Sequence, residues 1–427
     1  MSQFIVEGGH PLSGTIRPAG NKNELQPALA ASLLTDEVIT LHNVPLTNDR
    51  ATLIEIMRGI GVSVEEPEPY TLKICAGSLH STSLDKDLCR KVRGGFMFSG
   101  PLLARHGRAT VPRPGGDKIG RRRVDTHILA LEALGAKIHT NHIYELRAPD
   151  GLRGADIFLD ERSVTGTENA IMAAVLADGP TLIQNAASEP HVQQLCVLLN
   201  NMGAKISGIG TNVLSIEGVS TLHGVEHTIG PDYMEVGSFI GLAAVTNSPI
   251  RIADAAPENM RRSLMVFNRL GVDVEIHGND LVIPEFQKLE IVPDVGDAIP
   301  KIDDDPWPGF PADLMSIAMV VATQSRGTVL FFEKMFESRM FWLDRLIEMG
   351  AKIILCDPHR AVVVGPSKLY GEELTSPDVR AGMALLLASL CAEGTSVINN
   401  IEQIDRGYER IDERLRSLGA SIERVSD

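Results

Sequence analysis

The chain has 427 residues, 44% of them hydrophobic and 22% charged, and a formal net charge of −15. That length suits two domains better than one core, and the acid excess argues against nucleic-acid binding, which requires a basic surface. No run of about 18 apolar residues could cross a membrane, the start MSQFIVEGGHPLSG has no signal-peptide pattern, and five scattered cysteines without a CxxC pair read as reduced thiols in a cytoplasm.

In chain order the elements repeat. NELQPALAASLL opens a first unit, which closes on IGVSVE at Gly61. ATVPR and a segment ending in LGAKIH at Gly135 belong to a second; ENAIMAAVLA, TLIQNA, HVQQLCVLLNNM and MGAKIS at Gly203 form a third. IRIADA leads to LGVDVE at Gly271, and TVLFFE to MGAKII at Gly350. RAGMALLLASLC, SVINNI and RGYERIDERLRSL end in LGASIE at Gly419. The six glycines are 68 to 79 residues apart, a spacing that marks an internal repeat.

Each unit reads as helix, strand, helix, strand, with a further strand such as NVLSIEGV or NDLVIPEF. The repeated glycine sits where a helix stops. The Ala-rich first helices are apolar nearly all round, as buried helices are. The alternating strands suit sheets with one solvated face. The expected fold class is therefore α/β (α+β), with buried helices, sheets outside, and six units in two domains of three. The break falls near Gly230–Asp232.

Superposing the units aligns their charges. Segments opening the first helices carry Lys22 and Asn23, Arg93, Thr167 with Glu168 and Asn169, Asp232 with Glu235, Asp313, and Asp378 with Arg380. Those opening the second helices carry Asp117 and Arg122, Arg339 and Arg406. Helix N-termini favour anions, and basic side chains there reinforce an anion site. Taken singly, each has a plain structural reading: Asp313 as a helix cap, Arg121–Arg123 as a solvated turn, His127 as a satisfied core histidine. Recurrence at equivalent positions favours function.

Together, GNKNE at 20–24, VRGGF at 92–96, PGGDKIGRRRVDTH at 114–127, DRGYERI at 405–411 and the closing LGASIERV resemble the enolpyruvyl transferase family. The likeness covers essentially the whole chain and is closest to the members that use UDP-N-acetylglucosamine. It implies a two-domain inside-out α/β barrel: 22–231 as one domain, 1–21 with 232–427 as the other, and an active site in the cleft between them. It also implies transfer of the enolpyruvyl group of phosphoenolpyruvate to the 3-hydroxyl of UDP-N-acetylglucosamine, the first committed step of peptidoglycan synthesis. Neither a metal, an organic cofactor nor an obligate protein partner is implied.

The resemblance assigns roles. Lys22, Asn23, Arg122 and Arg406 match phosphoenolpyruvate ligands or neighbours of the reacting centre, and Arg offers bidentate geometry for phosphate and carboxylate. Asp313 matches the base for the sugar hydroxyl, and Asp117 the acid that protonates C3. Lys22 and Arg406 count with them as catalytic. Arg93, Arg122, Arg123, Val124, Asp125, Thr126, Glu161, Arg162, Ser163, Val164, Asp313 and Met335 match the sugar-nucleotide segment. Arg339, Asp378 and Arg380 support the cleft. Three positions depart from the common pattern: Asp117 stands for a cysteine, Arg123 for a proline that flanks the uracil, and Glu161 for a lysine near the diphosphate. Arg162, or Arg121 and Arg123, could restore the charge at Glu161. Asp117 implies resistance to fosfomycin, which alkylates the cysteine. Rival readings are another acceptor (shikimate 3-phosphate or a nucleoside) and a non-catalytic sugar-nucleotide-binding paralogue.

Overall fold

The computed structural model describes residues 2–117, 119–120 and 122–426. Arg121, one of the residues expected to balance Glu161, lies outside them, as does Lys118. The chain divides into two compact units. One comprises Gly20–Gly116 and Arg122–Gly230; the other comprises Met1–Ala19, Asp117–Arg121 and Pro231–Asp427.

Among the described residues, each unit has three sheets built to one plan. The strand after a buried helix pairs parallel with an incoming strand on one side. On its other side it pairs antiparallel with the strand that closes the repeat. In the unit of residues 20–230, Ile39–His42 lies between Val225–Thr228 and Leu72–Cys75, and Pro180–Gln184 lies between Asp156–Phe158 and Val213–Glu217. Arg108–Pro112 pairs with Ile143–Arg147, and a parallel bridge to Ser83 takes the place of its incoming strand.

The other unit repeats the plan with parts from both chain ends. Gly14–Ile16 runs parallel to Ile250–Ile252, and Lys301–Asp303 runs parallel to Gly327–Phe332. In the last sheet Gln3–Glu7 inserts between Thr395–Asn399 and Ser421–Val425, antiparallel to both. The closing strand of the sixth repeat is thus supplied by residues 3–7.

The first helices of the repeats fill each core. Tyr233–Val245, Ala312–Gln324 and Val379–Cys391 pack on one another and bury nearly every residue. Their Ala, Gly, Leu and Val content allows this, because no face carries a charge beyond the first turn. Gly241 sits where helix Tyr233–Val245 meets helix Ala312–Gln324, and a Cβ there would collide with Ile317. The second helices are amphipathic instead. Arg261–Arg269 buries only Ser263, Val266 and Phe267. The six repeated glycines, Gly61, Gly135, Gly203, Gly271, Gly350 and Gly419, all have positive φ, between 84° and 110°. That is the left-handed conformation a helix-terminating glycine supplies.

Candidate active site

In the unit containing residues 231–427, charge gathers at the start of two buried helices. Asp313 is the second residue of Ala312–Gln324. The plain alternative, a helix cap, does not apply to Asp313, because Pro311 holds the cap position and makes no side-chain cap hydrogen bond. Asp313 instead accepts from Arg339 Nη2 at 2.5 Å on one oxygen and from Arg380 Nε at 2.8 Å on the other. Both guanidiniums are buried. Burial opposes the charge of Arg339, but Asp313, Asp378 and Glu333 outweigh it and raise its pKa. Burial likewise opposes the charge of Arg380, and Asp313, Tyr408 and Asp232 raise its pKa well above the ordinary value. Asp378 caps helix Val379–Cys391, accepting from the N–H groups of Arg380 and Ala381 at 2.8 and 3.0 Å. Arg380 also donates to the Tyr408 hydroxyl at 3.3 Å.

A second pairing lies in the same unit. Asp117 is ion-paired with Arg406, whose Nη1 also donates to Gln403 at 3.0 Å. The segment after Asp117 is fastened through Ile119, whose carbonyl accepts the N–H of Ser338 at 3.2 Å. Met335 is exposed on the turn leading to Arg339.

In the unit of residues 20–230, Asn21 caps helix Lys22–Ala31 and accepts from the N–H groups of Asn23 and Glu24. This presents Lys22 at the helix start, mostly buried, with its Nζ 3.1 Å from Asp49. Arg93 opens a short 3₁₀ turn and reaches the carbonyls of Arg122 and Arg123 at 3.3 and 2.7 Å. Burial, then the positive charge of Arg122, lower its pKa to about 10. Arg123 is held by Asp125 and Asp160, each at 3.1 Å, and Thr126 donates to Asp160 at 2.7 Å. Val124 is buried beside them, and Ser163 caps the helix that Val164 opens. Glu161 and Arg162 are exposed. Arg123 is balanced by two carboxylates, and the charge of Glu161 acts on both Arg123 and Arg93.

Several slots of the repeat serve the fold instead. Asn169 accepts from Gly100 N–H at 2.7 Å and donates to Ser99 at 2.7 Å and to His127 Nδ1 at 3.1 Å. His127 is buried and neutral, its pKa lowered to about 3 by burial and Arg93. Glu235 is paired with Arg414, and Asp232 caps its helix. Asp49 and Asp160 were missed by sequence reasoning. Asp49 opens the second helix of the first repeat, Asn48–Gly59. That slot holds Asp117, Arg122, Arg339 and Arg406 in other copies, so the alignment of repeats carried the signal.

The profile of the EPSP synthase (3-phosphoshikimate 1-carboxyvinyltransferase) family matches residues 6–415. The chain belongs to this family. It is 58% identical over 425 residues to the UDP-N-acetylglucosamine 1-carboxyvinyltransferase of Bradyrhizobium diazoefficiens, covering 100% of this chain and 98% of that one. It is 55% identical to the protein of the same name from Treponema denticola, with 99% of each covered. Among solved structures, the enolpyruvyl transferase NikO from Streptomyces tendae superposes with a TM-score of 0.89 at 23% identity, over 100% of this chain and 99% of that one. An EPSP synthase from Acinetobacter baumannii gives 0.76 at 17% identity, over 100% of both chains. At those identities the structures establish the shared fold, the two-domain inside-out α/β arrangement of the family.

Proposed function

We propose that the protein transfers the enolpyruvyl group of phosphoenolpyruvate to the 3-hydroxyl of UDP-N-acetylglucosamine and releases phosphate. The observation that carries this reading is the full-length likeness, above half identity, to enzymes named for that reaction. The residue geometry supports it. Asp313 is oriented through both oxygens by buried arginines and can take the hydroxyl proton as that oxygen attacks C2. Asp117 delivers a proton to C3, which completes a tetrahedral adduct. Loss of a proton from C3 and departure of phosphate from C2 then restore the enol ether. Lys22, Arg122 and Arg406 supply cations for the phosphate and carboxylate, with Asn23 beside them. Arg93, Arg122–Thr126, Glu161–Val164, Asp313 and Met335 hold the sugar nucleotide. Residues 22–231 and the combination of 1–21 with 232–427 act as the two domains.

This activity places the protein in the cytoplasm at the entry to cell-wall synthesis, and hence upstream of cell shape and division. Free cysteines fit a reducing compartment. Phosphate release from phosphoenolpyruvate, assayed with UDP-N-acetylglucosamine, shikimate 3-phosphate and a nucleoside in turn, tests the acceptor. Release with the first alone is expected; release with either other acceptor and not the first would overturn the reading. A carboxylate is also a poorer nucleophile than a thiolate toward an epoxide. Fosfomycin is expected to leave the natural enzyme active and unmodified by intact mass, and to inactivate Asp117→Cys with a covalent adduct. Adduct formation on the natural protein would remove Asp117 from the cysteine's place.

A further inference from the structure

Two carboxyl groups outside the cation clusters are fully buried side by side. Asp304 follows strand Lys301–Asp303, Glu333 follows strand Gly327–Phe332, and Asp303 pairs with Phe332 across the parallel ladder. Both side chains have zero exposure. Asp304 accepts from the N–H groups of Lys334 and Met335 at 2.5 and 3.3 Å. Glu333 Oε1 accepts from those of Met335 and Phe336 at 3.2 and 3.1 Å. Glu333 Oε2 is buried and receives no protein N–H. The two carboxyls thus grip one short turn from two sides. The turn carries Met335 and runs on to Arg339, which holds Asp313.

Two ionised carboxylates in one dry pocket repel each other, and a single proton between them turns one oxygen into a donor. Burial, then Asp304, push the Glu333 carboxyl up to about 9, while Arg339 and the Phe336 N–H pull it the other way. The remaining neighbours do not reverse this. Lys334 turns out to Asp303 and Asp305. His359 meets the Glu333 backbone, its Nδ1 lying 2.7 Å from the carbonyl, and its own carbonyl accepts the Glu333 N–H at 2.8 Å.

We propose that Asp304 and Glu333 share one proton and act as a positioning pair, fixing the turn that presents Met335 to the sugar nucleotide and leads to Arg339, the partner of Asp313. This rests on the acceptor reading above. A plain buried cap would fix the turn at every pH; a shared proton fixes it only while the proton is present.

Glu333→Gln is the informative variant, because its amide donates to Asp304 at any pH with the same shape. Asp304→Asn is the second, donating in the other direction should Glu333→Gln fold poorly. The ratio of KM for UDP-N-acetylglucosamine in the natural enzyme to that in the variant cancels ionisation of the uracil itself. It is expected near one at about pH 7.5 and at about threefold or more at about pH 10, with kcat much less affected. Backbone hydrogen exchange at residues 334–336 needs no substrate. It is expected to match the variant's near neutrality and to run about fivefold faster in the natural protein at about pH 10. An exchange ratio that stays at one overturns the shared proton. Exchange that responds while the KM ratio stays flat overturns the positioning role. Absent turnover with UDP-N-acetylglucosamine at neutral pH instead overturns the acceptor reading and leaves the exchange result standing.

Discussion

Asp313 joins two jobs in one carboxylate, and substitutions separate them. Asp313→Asn keeps the shape and removes the base. A general base contributes about 10²–10⁴-fold, so kcat is expected to fall by that range while the UDP-sugar still binds; turnover close to natural would exclude Asp313 from the chemistry. The same substitution strips a negative charge from two buried guanidiniums. Removing one partner of a fully buried pair costs about 3–5 kcal/mol, and the partial exposure of Asp313 places the cost toward the lower figure. The kinetic comparison therefore belongs well below the variant's own melting temperature.

His127 gives a residue-scale prediction in pH. Its pKa is held at about 3 by burial and Arg93, whereas an unfolded histidine takes a proton near about 6.5. The unfolded chain therefore binds the extra proton first as pH falls. This stabilising term is complete above about pH 6.5 and shrinks below it, by at most about 1.4 kcal/mol per pH unit. Urea unfolding between about pH 7.5 and 5 is expected to show the natural protein losing about 2 kcal/mol more than His127→Gln. Parallel losses would mean that His127 is already charged in the fold.

At the scale of elements, Gly241 sets propensity against packing. Alanine is the better helix former by about 1 kcal/mol. Yet its methyl would have to displace Ile317 in a filled core, and overpacking costs about 1–3 kcal/mol. Packing should win, and thermal melts of Gly241→Ala are expected to show a net loss; a gain would mean the two helices can slide apart. The same contrast explains what was legible in the sequence. Helix ends announced themselves locally, because a repeated glycine with positive φ needs no knowledge of the rest of the chain. Buried helices announced themselves by composition. The pairings Lys22–Asp49, Arg123–Asp160 and Asp304–Glu333 had no such signature, since each joins elements distant in sequence. Asp313 taken singly admitted a plain reading as a cap, because one acid near a helix start looks the same whether it bonds the backbone or two arginines, one from its own repeat and one from the next.

Across the molecule, the two compact units differ in how they use the chain. Residues 20–230 hold one separate apolar core from Leu25 to Ile229. The other core runs from Phe4 through Ile422 and draws on both ends of the sequence. A fragment of residues 20–230 is therefore expected to melt cooperatively by circular dichroism. A fragment of 231–427 should not do so unless residues 2–19 are supplied. Cooperative melting of 231–427 alone would show the inserted strand to be dispensable.

The position of that strand bears on how the protein is made. Gln3–Glu7 leaves the ribosome long before one of its neighbours, Ser421–Val425, which lies about 400 residues later in the chain. At roughly 5–20 residues per second, the strand waits tens of seconds with its hydrogen-bonding edges open. Meanwhile the residues that complete the other core have already emerged. Synthesis thus favours an order in which the middle of the chain folds first and the N-terminal strand is captured late. A nascent chain arrested short of residue 421 would carry this apolar strand with the edge that meets Ser421–Val425 left open, the kind of edge that chaperones bind.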